Sequence, residues 1–286
     1  MKGLVLSGGG KKGAYQIGVL LRWIMEEDQD YDLMAGVSVG AIDTAKLAEA
    51  KRGELKEKFL ELRRFWDEIG NDGVWKHWFG WYLASALWKP SVYNSAPLYD
   101  RLKKNIDPKL IAESDRLLRV LAVCWDDGEI GVATEDDPEV VDWVYASASF
   151  PVFLTPIEIN GKMWTDGGVR TVTPLGQAIK AGCDEIDVVV CSNPDLPDEW
   201  DSKGKTTLPY AMRAVDLMSM EIIRNDLQVC GLKNQISKLG GKYKHVKVRL
   251  VWPSRPYPTN SLDFGQKEIQ ELIEMGYEDS ASPILL

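Results

Sequence analysis

The sequence predicts an α/β protein, a sheet covered by helices, and two observations carry the prediction. Short apolar runs that read as strands alternate with longer helix-like segments over most of the chain, the pattern that builds layered α/β architecture. Glycine-rich turns stand where each of the first two strands passes into a helix. Residues 3–6 are the first strand, and the helix-like segment 14–25 follows a glycine-rich loop. Residues 31–37 read as a second, buried strand. Residues 40–50 start a helix whose pattern runs from 42 to about 69. Another helix covers 97–105. Residues 117–125 and 129–134 are paired strands around Asp126-Asp127-Gly128, and 140–149 is helical. Beyond these come a helix over 174–181, with Pro174 suited to its first turn, a buried strand over 186–191, a long helix over 208–237 and a strand over 246–252. Residues 193–207 form a polar, proline-bearing loop, a candidate cover for a site. At 45% hydrophobic, 286 residues can bury a substantial core, and a single domain over 1–286 is expected.

Three motifs carry chemistry. Gly36-Val37-Ser38-Val39-Gly40 has the form of a nucleophile elbow, in which a serine sits on a sharp strand-to-helix turn and small neighbours let backbone pass close beside it. Ser7-Gly8-Gly9-Gly10-Lys11-Lys12-Gly13 lies between the first strand and its helix, where unshielded N–H groups and the helix dipole favour an anion. That anion is either a phosphate, since the spacing satisfies G-x-G-x-x-G, or the oxyanion of an acyl-transfer intermediate. A dinucleotide site expects an acidic residue at the end of the second strand. Here Asp28, Asp30 and Asp32 stand before or at the start of that strand and Ser38 ends it, which weakens the nucleotide reading. In the third motif, Trp164-Thr165-Asp166-Gly167-Gly168, a tight hairpin around Asn160-Gly161 delivers Asp166 to a strand end, where the glycines turn the chain away.

Taken in this order, the three motifs resemble the signature of the patatin-like phospholipase family. The resemblance extends to Ala146-Ser147-Ala148-Ser149-Phe150-Pro151, to Pro174, and to Leu262-Asp263-Phe264 leading into 269–277. It implies a three-layer α/β fold with a mostly parallel central sheet flanked by helices. Position by position, it makes Ser38 the nucleophile, Asp166 its base, and the backbone of Gly8, Gly9 and Gly10 the oxyanion hole. Lys12, Gly13, Gly36, Gly40, Gly167 and Gly168 complete the motifs. The family usually has arginine where this chain has Lys12, which keeps the charge but loses the planar fork. The implied substrates are carboxylic esters of lipids (phospholipids, lysophospholipids or glycerolipids), cleaved through an acyl-enzyme with release of fatty acid and without cofactor or metal. Acyl transfer to another acceptor and a catalytically silent lipid-binding module are the alternatives. Headgroup, chain length and oligomeric state stay open.

The remaining composition agrees with this reading. An ordinary serine hydrolase needs an imidazole, and the chain has two histidines, His77 among tryptophans and His245 at the start of a strand, both read as surface residues. A Ser-Asp dyad needs neither. Cys124, Cys183, Cys191 and Cys230 show no C-x-x-C spacing and read as small core residues of a reducing compartment. The acidic clusters Asp126-Asp127 and Glu135-Asp136-Asp137 read as solvated turns rather than calcium sites. A net charge of −9 leaves no electrostatic footprint for nucleic acid and opposes adhesion to anionic bilayers. Met1-Lys2 leads straight into the first strand, and no apolar run reaches the roughly 18 residues of a membrane span. A soluble cytoplasmic protein is expected. Trp66, Trp75, Trp78, Trp81 and Trp88 concentrate 5 of the 11 tryptophans between about 65 and 95. Packing in the core or as a cap over the site is favoured there over a lid in peripheral contact with a membrane, or a dimer contact.

Overall fold

The structure is a computed structural model, which describes residues 1–78, 89–196, 200, 203–241, 243–257 and 262–286. Its strands are β1 (Lys2–Leu6), β2 (Leu33–Val37), β3 (Leu117–Cys124), β4 (Ile130–Ala133), β5 (Ile157–Ile159), β6 (Lys162–Asp166), β7 (Glu185–Val189), β8 (Lys247–Val251) and β9 (Ile284–Leu285). They form one sheet. In its centre β3, β2, β1, β7 and β8 lie side by side in that order and parallel. β4 and β9 add antiparallel at the two outer edges, and the β5–β6 hairpin pairs with the end of β3.

Because side chains alternate across a strand, each central strand feeds two cores. Leu4, Leu6 and Met34 enter the core beneath the helices Gly13–Leu20, Val39–Ala48, Leu55–Glu68 and Gln266–Asp279. Val5, Leu33 and Ala35 enter a second core with residues of the helices Leu175–Lys180 and Thr207–Lys238. The result is the expected α/β arrangement, a mixed, mostly parallel sheet flanked by helices.

Most elements match the sequence reading within a residue or two, and the differences have local causes. The helix expected from 42 to about 69 is two helices, Val39–Ala48 and Leu55–Glu68. Between them Gly53 takes φ 86°, a left-handed conformation open to glycine, and the chain turns so that Leu55, Phe59, Leu62, Phe65 and Trp66 bury one face of the second helix. Pro174 precedes its helix instead of starting it. The short helices Asn71–Val74 and Pro108–Ala112 and the two-residue β9 lack enough periodicity to stand out in sequence. The Asn160-Gly161 hairpin is as expected, with φ 53° and 76° at the two turn residues. Of the expected cover loop, 197–199 and 201–202 lie outside the described residues, as do Trp81 and Trp88 of the tryptophan-rich segment. Trp66 and Trp75 pack against the larger core, and Trp66, Trp75 and Trp78 donate their indole N–H groups to Asp43, to the Leu262 carbonyl and to the Ser91 carbonyl. No described helix is long and apolar enough to cross a membrane.

The helices Gly13–Leu20 and Gln266–Asp279 meet through glycine. A Cβ placed on Gly18 would lie 1.9 Å from the Ile273 carbonyl oxygen, and one on Gly276 would lie 2.0 Å from that of Tyr15. Both obstacles are backbone and cannot swing away. Gly18→Ala and Gly276→Ala are therefore each expected to cost about 1–3 kcal/mol through overpacking. Urea unfolding reads this as a lower midpoint at unchanged slope.

Candidate active site

Ser38 stands between the end of β2 and the helix Val39–Ala48 with φ 56° and ψ −125°, a backbone conformation that serine seldom adopts and that costs on the order of 1–3 kcal/mol. Its surroundings hold it there. The Ser38 N–H donates to Ser147 Oγ at 2.9 Å, and its carbonyl accepts from Ala41 at 3.0 Å and from Ile42 at 3.3 Å. The flanking glycines are required by close approach. A Cβ on Gly36 would lie 2.1 Å from the Gly40 oxygen, and one on Gly40 would lie 2.3 Å from the Leu6 oxygen. The helix start is thereby pressed onto β1 and the Ser38 side chain is pushed outward.

Asp166 reaches Ser38 through the register of β3. Val120 and Leu121 pair with β2 on one edge and β4 on the other, whereas Ala122 and Val123 pair with β4 and β6. β6 must therefore occupy the same edge of β3 as β2, pointing the opposite way. Val37 pairs with Leu121 and Asp166 with Ala122, so the two strands end facing each other at consecutive β3 residues. The segment after the helix Val140–Ser147 ties both ends. Ser147 accepts from Ser38, while the Ser149 carbonyl accepts the Asp166 N–H at 3.1 Å and the Thr165 hydroxyl at 2.7 Å.

The Asp166 carboxyl is nearly sealed from solvent, at 2% exposure. Burial pushes its pKa up to about 7, against smaller downward pulls from the Ser38 hydroxyl and the Gly168 N–H, which donates to Oδ1 at 2.7 Å. Oδ2 is buried with no hydrogen-bond partner among the described residues, although the Ser38 hydroxyl lies near enough to pull the carboxyl's pKa down. Such contacts in unliganded sites commonly tighten only when substrate arrives. At neutral pH this carboxyl can both take and return a proton.

The glycine-rich loop lies beside Ser38, and a Cβ on Gly8 would be 3.2 Å from that of Ser38. The three glycines are not equivalent. Gly8 gives its N–H to the Val172 carbonyl at 3.1 Å, whereas Gly9 and Gly10 N–H make no hydrogen bond among the described residues. Lys12 points its Nζ to Ser192 Oγ at 3.1 Å and lies over the Tyr257 ring.

Gly8, Gly9, Gly10, Lys12, Ser38, Asp166 and Gly168 all border one cavity of about 290 Å³. Gly13, Gly36, Gly40 and Gly167 lie behind it, where they let backbone and side chains approach. Away from Ser38 most of the wall is apolar, with Ile42, Phe65, Trp66, Leu98, Leu154 and Phe264, while Asp216 and Ser219 add polar groups. Trp125, Val169 and Met218 border the cavity while remaining exposed, as at a mouth. These residues lacked a sequence signal because they come from separate elements. Neither His77 nor His245 lines the cavity. The acidic clusters serve turns and ion pairs: Asp127 binds Lys162 and the Glu129 N–H, Glu135 binds Arg119 and the Leu118 N–H, and Asp137 accepts the Glu139 N–H.

A buried carboxyl with a raised pKa carries a stability signature. The folded state holds the Asp166 proton up to about pH 7, whereas the unfolded chain releases it near pH 3.8. Its contribution is therefore full below the lower value and is lost as pH rises through the interval. Asp166→Asn removes the ionisable group, so the variant is expected to exceed wild type in melting temperature at pH 8 by more than at pH 5. An equal difference at both values contradicts this assignment.

The family model described as Patatin-like phospholipase matches residues 4–179, a span containing all three motifs. Lysophospholipase NTE1 of Eremothecium gossypii is 24% identical over 199 residues, covering 64% of this chain but 11% of that protein. The chain thus spans about a tenth of that relative's length. The crystal structure of VipD from Legionella pneumophila aligns at a TM-score of 0.42 and 14% identity, over 98% of this chain and 66% of that one. From the family match, which extends over more than half of its length, the chain belongs to the patatin-like phospholipase family.

Proposed function

We propose that the protein hydrolyses carboxylic esters of lipids, that Ser38 is its nucleophile and Asp166 its general base, and that residues 1–286 act as one domain. The observation that carries this reading is a serine on a strained elbow beside a buried carboxyl of near-neutral pKa, both bordering a mostly apolar cavity. The membership of a phospholipase family supports lipid acyl hydrolysis at the level of the class.

In the first step Ser38 Oγ attacks the ester carbonyl and its proton passes to Asp166. The oxyanion of the tetrahedral intermediate is received by the N–H groups of Gly9 and Gly10, which are not otherwise engaged among the described residues. Gly8 is assigned a structural part, since its N–H already belongs to Val172. Collapse of the intermediate breaks the ester C–O bond, and Asp166 returns the proton to the leaving alcohol. Water then attacks the acyl-enzyme with Asp166 again as base, and the fatty acid leaves with Ser38 restored. The acyl chain lies along the wall formed by Ile42, Phe65, Trp66 and Leu98, while Trp125, Val169 and Met218 at the mouth face the lipid aggregate.

Hydrolysis of p-nitrophenyl butyrate by wild type, Ser38→Ala and Asp166→Asn, with fluorophosphonate labelling read by mass spectrometry, tests the assignment. Both variants should fall by at least about 1,000-fold in kcat, and the label should map to Ser38. Because the base must be ionised, wild-type kcat/KM should rise with pH through a midpoint near 7. A folded wild type that neither turns over nor takes the label overturns the proposal.

A further inference from the structure

The long helix Thr207–Lys238 docks on the sheet with Ile223, Leu227 and Cys230. Two polar side chains on its sheet-facing side interrupt this apolar contact. Asn234 has a plain docking role: its side-chain amide accepts the Val246 N–H at 3.0 Å and donates to the Val246 carbonyl at 2.7 Å, which fastens the helix beside the start of β8. Asp226 does something different. Its Oδ2 accepts the N–H of Thr173 at 3.0 Å, in the loop that leads away from Asp166.

The peptide group so engaged has a second partner. The N–H of Thr173 and the carbonyl of Val172 belong to one peptide unit, and that carbonyl accepts the Gly8 N–H at 3.1 Å. A carboxylate is thus joined through a single peptide group to the first glycine of the loop that lies against Ser38. An ionised acceptor on the N–H polarises the peptide and makes its carbonyl a better acceptor. Burial pushes the Asp226 carboxyl up to about 6, against the pull of the Thr173 and Val172 N–H groups, so placing this acid here costs stability that an apolar residue would not.

We infer that Asp226 is a positioning residue that holds the glycine-rich loop at the height where the Gly9 and Gly10 N–H groups face the Ser38 site. It touches no reacting atom and acts through the Val172–Thr173 peptide and Gly8. The catalytic consequence rests on the hydrolase reading above, whereas the clamp itself does not. The same peptide bond explains why Gly8 is withdrawn from the set of free donors: its N–H is the handle by which the loop is held.

The test compares Asp226→Ala and Asp226→Asn with Asn234→Ala, a variant of the same helix whose partner lies away from the site. Hydrogen exchange of peptides covering residues 7–13 reads the clamp without turnover. Asp226→Ala should speed exchange at Gly8 by about tenfold or more, whereas Asn234→Ala should not. With p-nitrophenyl butyrate, Asp226→Ala should lose on the order of 100-fold in kcat with KM within about twofold, since misplaced donors act on the transition state. Asp226→Asn, which keeps one carbonyl acceptor and the side-chain shape, should recover part of the loss. Asn234→Ala should lower the melting temperature while kcat stays within about twofold. Unchanged Gly8 exchange in a folded Asp226→Ala protein overturns the inference, as does equal loss of kcat in Asp226→Ala and Asn234→Ala. A wild type without turnover or label overturns the hydrolase reading instead, and the exchange result then decides the clamp alone.

Discussion

One edge of β3 is shared by two strands that approach from opposite directions, and the site depends on that sharing. β2 uses the edge as far as Leu121 and β6 takes it over at Ala122. A strand end is where side chains can leave the sheet plane and backbone can turn. Two ends brought face to face therefore place Ser38 and Asp166, 128 positions apart in the chain, on the same rim. Backbone hydrogen bonding does the placing, and its register allows no slack: a slip of one residue would turn Asp166 to the other face of the sheet. The 147–149 segment reinforces the juncture by bonding to both ends.

The proposed chemistry follows from how little water reaches this juncture. A carboxylate in solution is too weak a base for a serine hydroxyl, and desolvation is the largest influence on Asp166. Its compensation is small, one backbone N–H and a serine hydroxyl, so the charged form is held at a cost. A second buried acid, Asp43, shares the neighbourhood of Trp66, with burial raising its pKa to about 8 and the indole N–H as its partner. The strained φ of Ser38 and the poorly solvated carboxyl both represent stability given up at the site. The glycine-packed helices and the two cores on either face of the sheet offset it.

Around the proposed dyad the helices divide the work. Those on the face beneath Leu4, Leu6 and Met34 supply the elbow helix and most of the apolar wall, through Ile42, Phe65, Trp66 and Leu98. The long helix on the other face contributes Met218 at the mouth and reaches the Val172–Thr173 peptide through Asp226. A cavity built from both layers is mostly apolar, with Ser38, Asp166 and the glycine loop converging on it from the strand ends and Asp216 and Ser219 added from the long helix.

The sequence by itself determined what a few neighbouring residues can decide: the elbow, the glycine-rich turn, the Asn160-Gly161 hairpin, the alternation of strands and helices, and through these the family. Steric limits on φ and ψ act within such short stretches, so glycines and turn residues announce them directly. The break at Gly53 was hidden because the apolar pattern on either side continues at helical spacing, and only the direction of packing separates the two helices. Tertiary structure alone decided that Val37 and Asp166 meet beside Leu121 and Ala122, that burial lifts the Asp166 carboxyl towards neutrality, that the Gly8 N–H is bonded while those of Gly9 and Gly10 find no partner among the described residues, and that Asp226 reaches the loop. Each of these depends on water excluded or hydrogen bonds formed between residues far apart in the chain, and no local pattern encodes which distant group will arrive.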